Sequence, residues 1–532
     1  MNQITPPPKI EIIPSSAPFS EAQRSWLNGF FAGLLSDAPT PLSAEQGAAV
    51  MQGAAGDGDD GEAPWHDQTM PIADRMKLAE GRPLRRRFMA AMAQQDCGQC
   101  GYDCHNYSEA IATKSEARLN LCVPGGKETA RMLKSLYEEI DKAPAVPSSA
   151  APATAAPAVI AEPGRSRDNP APAKFVGRQL LNKGKSEKET WHIDFDLSGC
   201  GLDYVVGDSF GIFARNDLGN VDQIIALLGA SHTTKVRGKT LREVLLDDVS
   251  LAPAPDSLFE LISYLTGGKQ REKARALAQG EDPDGDAATL DVMAVLQKFS
   301  NVRPHPEAFV EALEALQPRL YSISSSHNAT PGKLSLTVDC VRYVVNKRKR
   351  LGLASTFLAE RIQPGDEVTV YVQKAHGFAL PEDPKVPIIM IGPGTGIAPF
   401  RAFLHDRRAT GAPGKNWLFF GHQRSDCDFF YADELNAMKT SGLLTRLSLA
   451  WSRDGEKKFY VQDRMREVGR EVWTWLAEGA NIYICGDAKR MAKDVERALV
   501  DIVAQFGARS TDEAVHFVGE LKKSGRFQQD VY

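Results

Sequence analysis

Val386-Pro-Ile-Ile-Met-Ile-Gly-Pro-Gly-Thr-Gly-Ile-Ala-Pro-Phe-Arg401 passes from an unbroken apolar run through a glycine turn into a helical pattern with Pro399 near its start. An apolar run of this length bounded by turn residues fits a strand buried on both faces, as in a parallel sheet. The turn that follows, with Gly394, Thr395 and Gly396, suits a backbone that must approach a pyrophosphate, although it reads G-P-G-T-G and not G-x-G-x-x-G. Downstream, the apolar stretches Trp417–Phe420, Leu447–Trp451 and Ile482–Cys485 alternate with helical periodicity. Residues 384–532 are therefore predicted to form a parallel sheet with helices on both faces, binding a nucleotide at its carboxyl edge.

Working back toward the N-terminus, residues 174–383 show two-residue alternation, as in Trp191-His-Ile-Asp-Phe-Asp-Leu197 and Leu334-Ser-Leu-Thr-Val-Asp-Cys340. A mostly helical stretch interrupts it at about 218–312. Residues 141–173 are dominated by Ala, Pro and Ser and read as a linker, because such a composition buries too little apolar surface to fold. Residues 81–140 form a small unit around clustered cysteines. In residues 1–80 a helical pattern, Ser20 to Leu35, precedes a connector rich in Ala, Gly and Asp.

The 532 residues carry a net charge of −5, 42% hydrophobic and 25% charged side chains. That balance argues against nucleic-acid binding, which calls for a basic stripe. No run of 18 apolar residues suggests a membrane helix. The N-terminus lacks the basic start and apolar stretch of a secretory signal, so a cytoplasmic protein is expected.

Four of the eight cysteines cluster, in Cys97-Gly-Gln-Cys100-Gly-Tyr-Asp-Cys104 and Cys122-Val-Pro-Gly-Gly126. Three thiols within eight residues and a distant fourth followed by Pro suit an iron–sulfur cluster. Zinc competes, but two paired C-x2-C knuckles are missing.

Arg319-Leu-Tyr-Ser322 offers a guanidinium fork for a diphosphate, an aromatic plane for a flavin ring and a small hydroxyl for its reactive edge. Strict alternation places Arg319 and Tyr321 on one face and Ser322 on the other, so a bend or twist is required. Gly352-Leu-Ala-Ser355 opens a helix whose amides suit a pyrophosphate. Ser452, Arg453 and Lys458 follow a strand end and can surround a 2′-phosphate, favouring NADPH over NADH. Cys485 ends another strand at the ligand-binding edge, where it is either inert packing or part of a site, and the terminal Tyr532 either frays or stacks over a flavin.

In order and separation, Arg319-Leu-Tyr-Ser322, Met390 to Arg401, Trp451-Ser-Arg-Asp454, Tyr460-Val-Gln-Asp463, Cys485-Gly-Asp487 and Asp530-Val-Tyr532 closely resemble the NADPH-sulfite reductase flavoproteins, and more broadly the diflavin reductases. The resemblance covers residues 174–532. It implies a ferredoxin-NADP reductase-like fold: an antiparallel β-barrel for FAD with a helical insert, then an α/β NADP-binding domain. It implies that Arg319, Leu320, Tyr321, Ser322, Thr337, Val338, Asp339 and Tyr343 hold FAD, with Gly352, Leu353, Ala354 and Ser355 at its pyrophosphate. NADPH would meet Ser452, Arg453, Lys458, Phe459, Tyr460, Val461, Gln462 and Asp494. Ser322, Cys485 and Asp530 would assist hydride transfer, with Tyr532 covering the isoalloxazine.

Around the cysteines, Cys97 to Ala112 and Cys122 to Gly126 resemble a small 4Fe-4S domain of bacterial redox proteins, with one residue fewer between the second and third cysteines. Relatives with a flavodoxin domain carry it before the barrel; here the cysteine unit stands in that place. The implied partner is a sirohaem sulfite reductase subunit. Nitrite or nitrate reductase or an oxygenase are the alternative acceptors, and a zinc interaction module is the alternative for the cysteines.

Overall fold

The computed structural model describes Ala63, Trp65, His66 and residues 70–95, 100–140, 162–375 and 377–532. Its contacts divide the chain into Met1–Ala63 and Pro64–Tyr532, and the following concerns the second unit. The Ser20–Leu35 pattern and Cys97 lie outside the described residues.

The first part is a cluster of four helices, Ile72–Leu78, Leu84–Ala91, Cys104–Ala112 and Gly126–Ile140. Two of their starts are explained by local chemistry. Pro83 precedes the second helix, where a missing N–H costs nothing. Asp103 caps the third by accepting the Asn106 amide at 2.6 Å. The unit reaches back to Ile72: Arg75 is buried and its Nε donates to the Ala90 carbonyl at 3.0 Å. Phe88, Met89, Ile111, Leu133 and Leu136 fill its interior.

Six antiparallel strands follow: β1 (Ala171–Leu180), β2 (Thr190–Asp196), β3 (Ser209–Ile212), β6 (Arg319–Ser322), β7 (Lys333–Asp339) and β10 (Glu367–Gln373), in the order β6-β3-β10-β1-β2-β7. A bridge between Ile323 and Leu336 joins the two ends, so the sheet closes into a barrel with no long free edge. The barrel begins at Ala171, inside the Ala- and Pro-rich stretch. There Ala171 and Ala173 point into the core while Pro172 and Lys174 point out. Over Ala171–Lys174, β1 pairs with β10, and pairing with β2 starts only at Lys174. Pro172 thus has an open side, which is where a strand tolerates proline.

Between β3 and β6, two short hairpin strands, β4 (Lys235–Val236) and β5 (Lys239–Thr240), accompany helices running from Leu218–Leu228 to Pro306–Glu311. These helices bury a core of their own around Val221, Ile225, Leu245, Leu258, Ile262 and Phe309. A second hairpin, β8 (Arg342–Val345) with β9 (Arg348–Leu351), follows β7.

The last part is a five-stranded parallel sheet: β11 (Ile388–Ile391), β12 (Asn416–His422), β13 (Arg446–Trp451), β14 (Asn481–Gly486) and β15 (Phe527–Val531), ordered β13-β12-β11-β14-β15. All four residues of β11 are fully buried, as its unbroken apolar run requires. The carboxyl ends of β11 and β14 carry the glycine turn and Cys485 to one edge.

Candidate functional site

A cavity of about 1130 Å³ opens where the barrel meets that carboxyl edge. Arg319, Leu320, Tyr321 and Ser322 all line it, together with Thr337, Val338, Asp339, Gly352, Leu353, Ala354, Ser355, Thr395, Asp530 and Tyr532. That β6 serves the cavity with every residue fits its position at one end of the strand order, half-buried along its length. Tyr343 is the exception: it stands exposed on β8 and is not among the lining residues.

The barrel side has the polarity a diphosphate needs. Arg319 is largely buried, and burial pulls its pKa down. Its Nη1 donates to the main-chain carbonyls of Gln317 and Pro318 at 3.3 and 3.4 Å. Among the described residues no carboxylate pairs with it. A buried guanidinium without a counter-ion is costly unless an anion arrives, so this residue fits the pyrophosphate of FAD. Gly352 fits as well: a Cβ there would lie 2.6 Å from Ser355 Oγ and 2.8 Å from Val341 Cβ, so a side chain would force the turn out of the cavity wall.

Three side chains from distant parts of the chain meet at the cavity's end. The β14–β15 register sets Cys485 opposite Asp530. Asp530 Oδ2 accepts the Ser322 hydroxyl at 2.5 Å and the Cys485 thiol at 3.6 Å. Burial raises the Asp530 carboxyl above its usual range, with both hydrogen bonds opposing. Burial, then the Asp530 charge, holds the Cys485 thiol far above its ordinary value, so it is a neutral donor. Tyr532 is tied on both sides: its amide donates to the Gly486 carbonyl at 3.0 Å and its hydroxyl lies 2.6 Å from Thr395 Oγ1.

The glycine turn is packed as tightly as its sequence suggests. A Cβ on Gly396 would lie 2.1 Å from the Cys485 carbonyl oxygen, and one on Gly392 2.3 Å from the Gly396 oxygen. Gly394 adopts φ +59°. On the neighbouring strand end, the amides of Ser452 and Arg453 donate to the carbonyls of His422 and Gln423 at 2.9 and 2.8 Å. Arg453 forms an ion pair with Glu187, and Lys458 is exposed beside it in sequence. Tyr460, also exposed, starts a helix Val461–Glu467 with Asp463 accepting its amide at 2.9 Å. Phe459 packs against the domain core, with the Arg464 guanidinium 4.8 Å from its ring centroid. Gln462 Oε1 is buried without a hydrogen-bond partner, and Asp494 lies in the helix Met491–Phe506. The exposed cations Arg453 and Lys458 fit a nucleotide with a phosphorylated ribose.

Sequence reasoning missed Tyr431. It holds φ +53°, lies with its hydroxyl 2.7 Å from Thr337 Oγ1 and 3.0 Å from His192 Nδ1, and has the Arg401 guanidinium 4.8 Å from its ring centroid. Nothing in the run Phe429-Phe-Tyr431 marks that position.

Residues 390–497 match the family description Oxidoreductase NAD-binding domain, and residues 163–279 and 236–357 match FAD binding domain. A sulfite reductase (NADPH) flavoprotein alpha-component from Escherichia coli O9:H4 is 41% identical over 429 residues, 80% of this chain and 70% of the relative. The chain belongs to this flavoprotein family. A member from Photorhabdus laumondii is 42% identical over 371 residues, 69% of this chain, so that this chain spans 61% of that relative's length. The flavoprotein is thus an NADPH oxidoreductase by family, carrying FAD- and NAD-binding domains.

The cysteine unit stands apart from that assignment. Cys100 and Cys122 are near enough for their charges to interact: burial, then the neighbouring Cys122, pushes the Cys100 thiol up to about 11. Burial likewise raises Cys122. Among the described residues no group of three or more His, Cys, Asp or Glu is arranged to hold a metal ion. The described cysteines alone do not assemble an iron–sulfur site, and Cys97 is not among them. Among the described residues no helix is long and apolar enough to cross a membrane.

Proposed function

We propose that this flavoprotein draws reducing equivalents from NADPH, held against FAD, and delivers them to a partner protein, the sirohaem subunit of a sulfite reductase. The observation that carries this reading is the meeting of Ser322, Cys485 and Asp530 on one carboxylate oxygen at the cavity's end. When bound, FAD supplies the exchange between a hydride donor and one-electron acceptors. The chain's own residues prepare the site for it. Arg319 offers a buried positive charge to the diphosphate. Ser322 and Cys485 are fixed by Asp530 with no solvent reorganisation needed at the moment of reaction. Tyr532, anchored through Thr395, would cover the flavin until a nicotinamide displaces it. Arg453 and Lys458 supply the charge that selects a 2′-phosphate.

Cys97, Cys100, Cys104 and Cys122 are proposed to hold a 4Fe-4S cluster. The reading rests on their spacing. Counting iron and acid-labile sulfide against zinc in the purified chain tests it, and zinc without sulfide would replace it with an interaction module.

The function itself is tested in two stages. Ferricyanide reduction should proceed with NADPH far better than with NADH. Addition of the sirohaem subunit should then give sulfite-dependent NADPH oxidation. Ferricyanide activity without any sulfite-dependent rate would move the acceptor to nitrite reductase, nitrate reductase or an oxygenase.

A further inference from the structure

The cavity has a second wall that the reductase half does not supply. Met70, Pro71, Ile72, Val123, Pro124 and Gly125 of the cysteine unit line it opposite Arg319 and Tyr532. The loop Val123–Gly125 directly follows Cys122 and leads into the helix Gly126–Ile140. What holds this wall in place is a small set of polar contacts to the helical insert. Lys127 and Arg131 lie four residues apart, on one face of that helix. Both reach Asp256, the first residue of the helix Asp256–Leu265. Arg131 grips it as a fork, Nε to Oδ2 at 2.8 Å and Nη2 to Oδ1 at 2.9 Å, and Lys127 Nζ stands 3.7 Å from Oδ1. Lys127 also donates to the Ala254 carbonyl and lies 5.4 Å from the centroid of the Phe259 ring. Gly280 leaves room for the fork: a Cβ there would come within 2.7 Å of Arg131 Nη1. A third contact, Arg167 Nη2 to Gln317 Oε1 at 2.7 Å, adjoins Gly101 of the cysteine loop.

We propose that Asp256, gripped by Lys127 and Arg131, is the docking contact that seats the cysteine unit over the flavin cavity, and that the unit is released by breaking these few charges. The contact is polar and partly exposed, with side chains 30% to 41% accessible. Such a contact is modest in strength and screened by salt, which suits a surface that must form and dissolve. Two buried apolar faces would instead fix the unit permanently. The docked unit places the Cys122 loop at the cavity and covers the side from which a large acceptor would approach. An external partner therefore meets the flavin side only after the Asp256 contact opens.

This inference rests on the reductase reading above, and its test separates the two. A carbodiimide that joins amines to carboxylates in direct contact, losing water to form an amide, is applied to the full-length holoprotein. A peptide joining Lys127 to Asp256 is sought by mass spectrometry. It should form at low ionic strength and fall roughly five-fold at 0.5 M salt and in Arg131→Ala. The exchange variant Arg131→Asp with Asp256→Arg should restore protection of the Val123–Glu128 amides from hydrogen exchange, which Arg131→Asp alone loses. No joined peptide at low salt, or a yield indifferent to both salt and Arg131→Ala, overturns the docking contact. Ferricyanide reduction by NADPH reads the reductase half alone and should be unchanged in Arg131→Ala. Its absence in the unaltered protein, with the joined peptide present, would sink the reductase reading and leave the docking contact standing.

Discussion

At the scale of single residues, a hydroxyl and a thiol meet on one carboxylate oxygen. Asp530 Oδ2 receives both the Ser322 hydroxyl and the Cys485 thiol, and it holds them most strongly when the carboxyl is ionised. Burial raises its pKa, which means that protonation sets in at a higher pH than for an ordinary aspartate. Turnover with NADPH and ferricyanide should therefore decline as pH falls through that raised value. Asp530→Asn should run about 10²-fold slower and lose this acidic limb, as a kcat–pH profile would show. Selectivity is a separate matter, which we propose is set at the strand end after β13. Arg453→Ala should raise the KM for NADPH about ten-fold or more while leaving that for NADH almost unchanged, because only the former has a 2′-phosphate for the guanidinium. Steady-state kinetics with both nucleotides check it. Ser322, Cys485, Asp530 and Arg453 were legible because each sits in a short motif. The convergence of Ser322 and Cys485 on Asp530 Oδ2 was not, since it depends on the β14–β15 register and on the contact between two domains.

Among the elements, the strand β11 and its turn show how far local pattern reaches. Four fully buried residues explain the apolar run, and the turn explains its glycines: the Cys485 carbonyl oxygen would stand 2.1 Å from a Cβ at position 396. Gly396→Ala should accordingly cost about 1–3 kcal/mol through overpacking against backbone that cannot yield. Thermal unfolding should report the loss, and NADP-dependent protection against it should shrink as well. Elements with small or mixed side chains are harder to read. Ala171 and Ala173 face the barrel core, yet by composition they belong to a linker, because alanine carries almost no strand signal. The β8–β9 hairpin is a second case. Its register faces Tyr343 with Arg350, and Tyr343 ends exposed, away from the cavity that its neighbours Val341 and Gly352 line.

Across the whole molecule, a buried carboxylate that no motif announced is one of the bridges between the barrel and the parallel sheet. Asp428, in the loop after β12, accepts Asn182 Nδ2 at 2.8 Å and Ser186 Oγ at 2.5 Å from the segment between β1 and β2. The Arg424 amide donates to its other oxygen at 3.1 Å, and His422 Nδ1 stands 3.2 Å away. Burial by itself would raise this carboxyl, but the hydrogen bonds from Ser186 and Asn182 and the neighbouring His422 outweigh it and hold the pKa below the usual range. A carboxylate with a depressed folded pKa contributes stability that is complete above its unfolded pKa, about 4, and is lost as pH falls through the folded value. Asp428→Ala would remove the acceptor that Asn182, Ser186 and the Arg424 amide share, at a cost of about 1–3 kcal/mol. The same two segments share a backbone bond, Lys183 amide to Cys427 carbonyl at 2.8 Å, so the loss should spread along the seam between the domains. Calorimetry at neutral pH should then show one cooperative transition for the unaltered flavoprotein and two for Asp428→Ala, the barrel separating from the nucleotide domain. Acidification of the unaltered protein below about pH 4 should begin to reproduce that splitting. A single transition in the variant at every pH would mean that the domains cohere through the apolar contacts of Val206 and Phe378 with the sheet's lower face, and not through this charge.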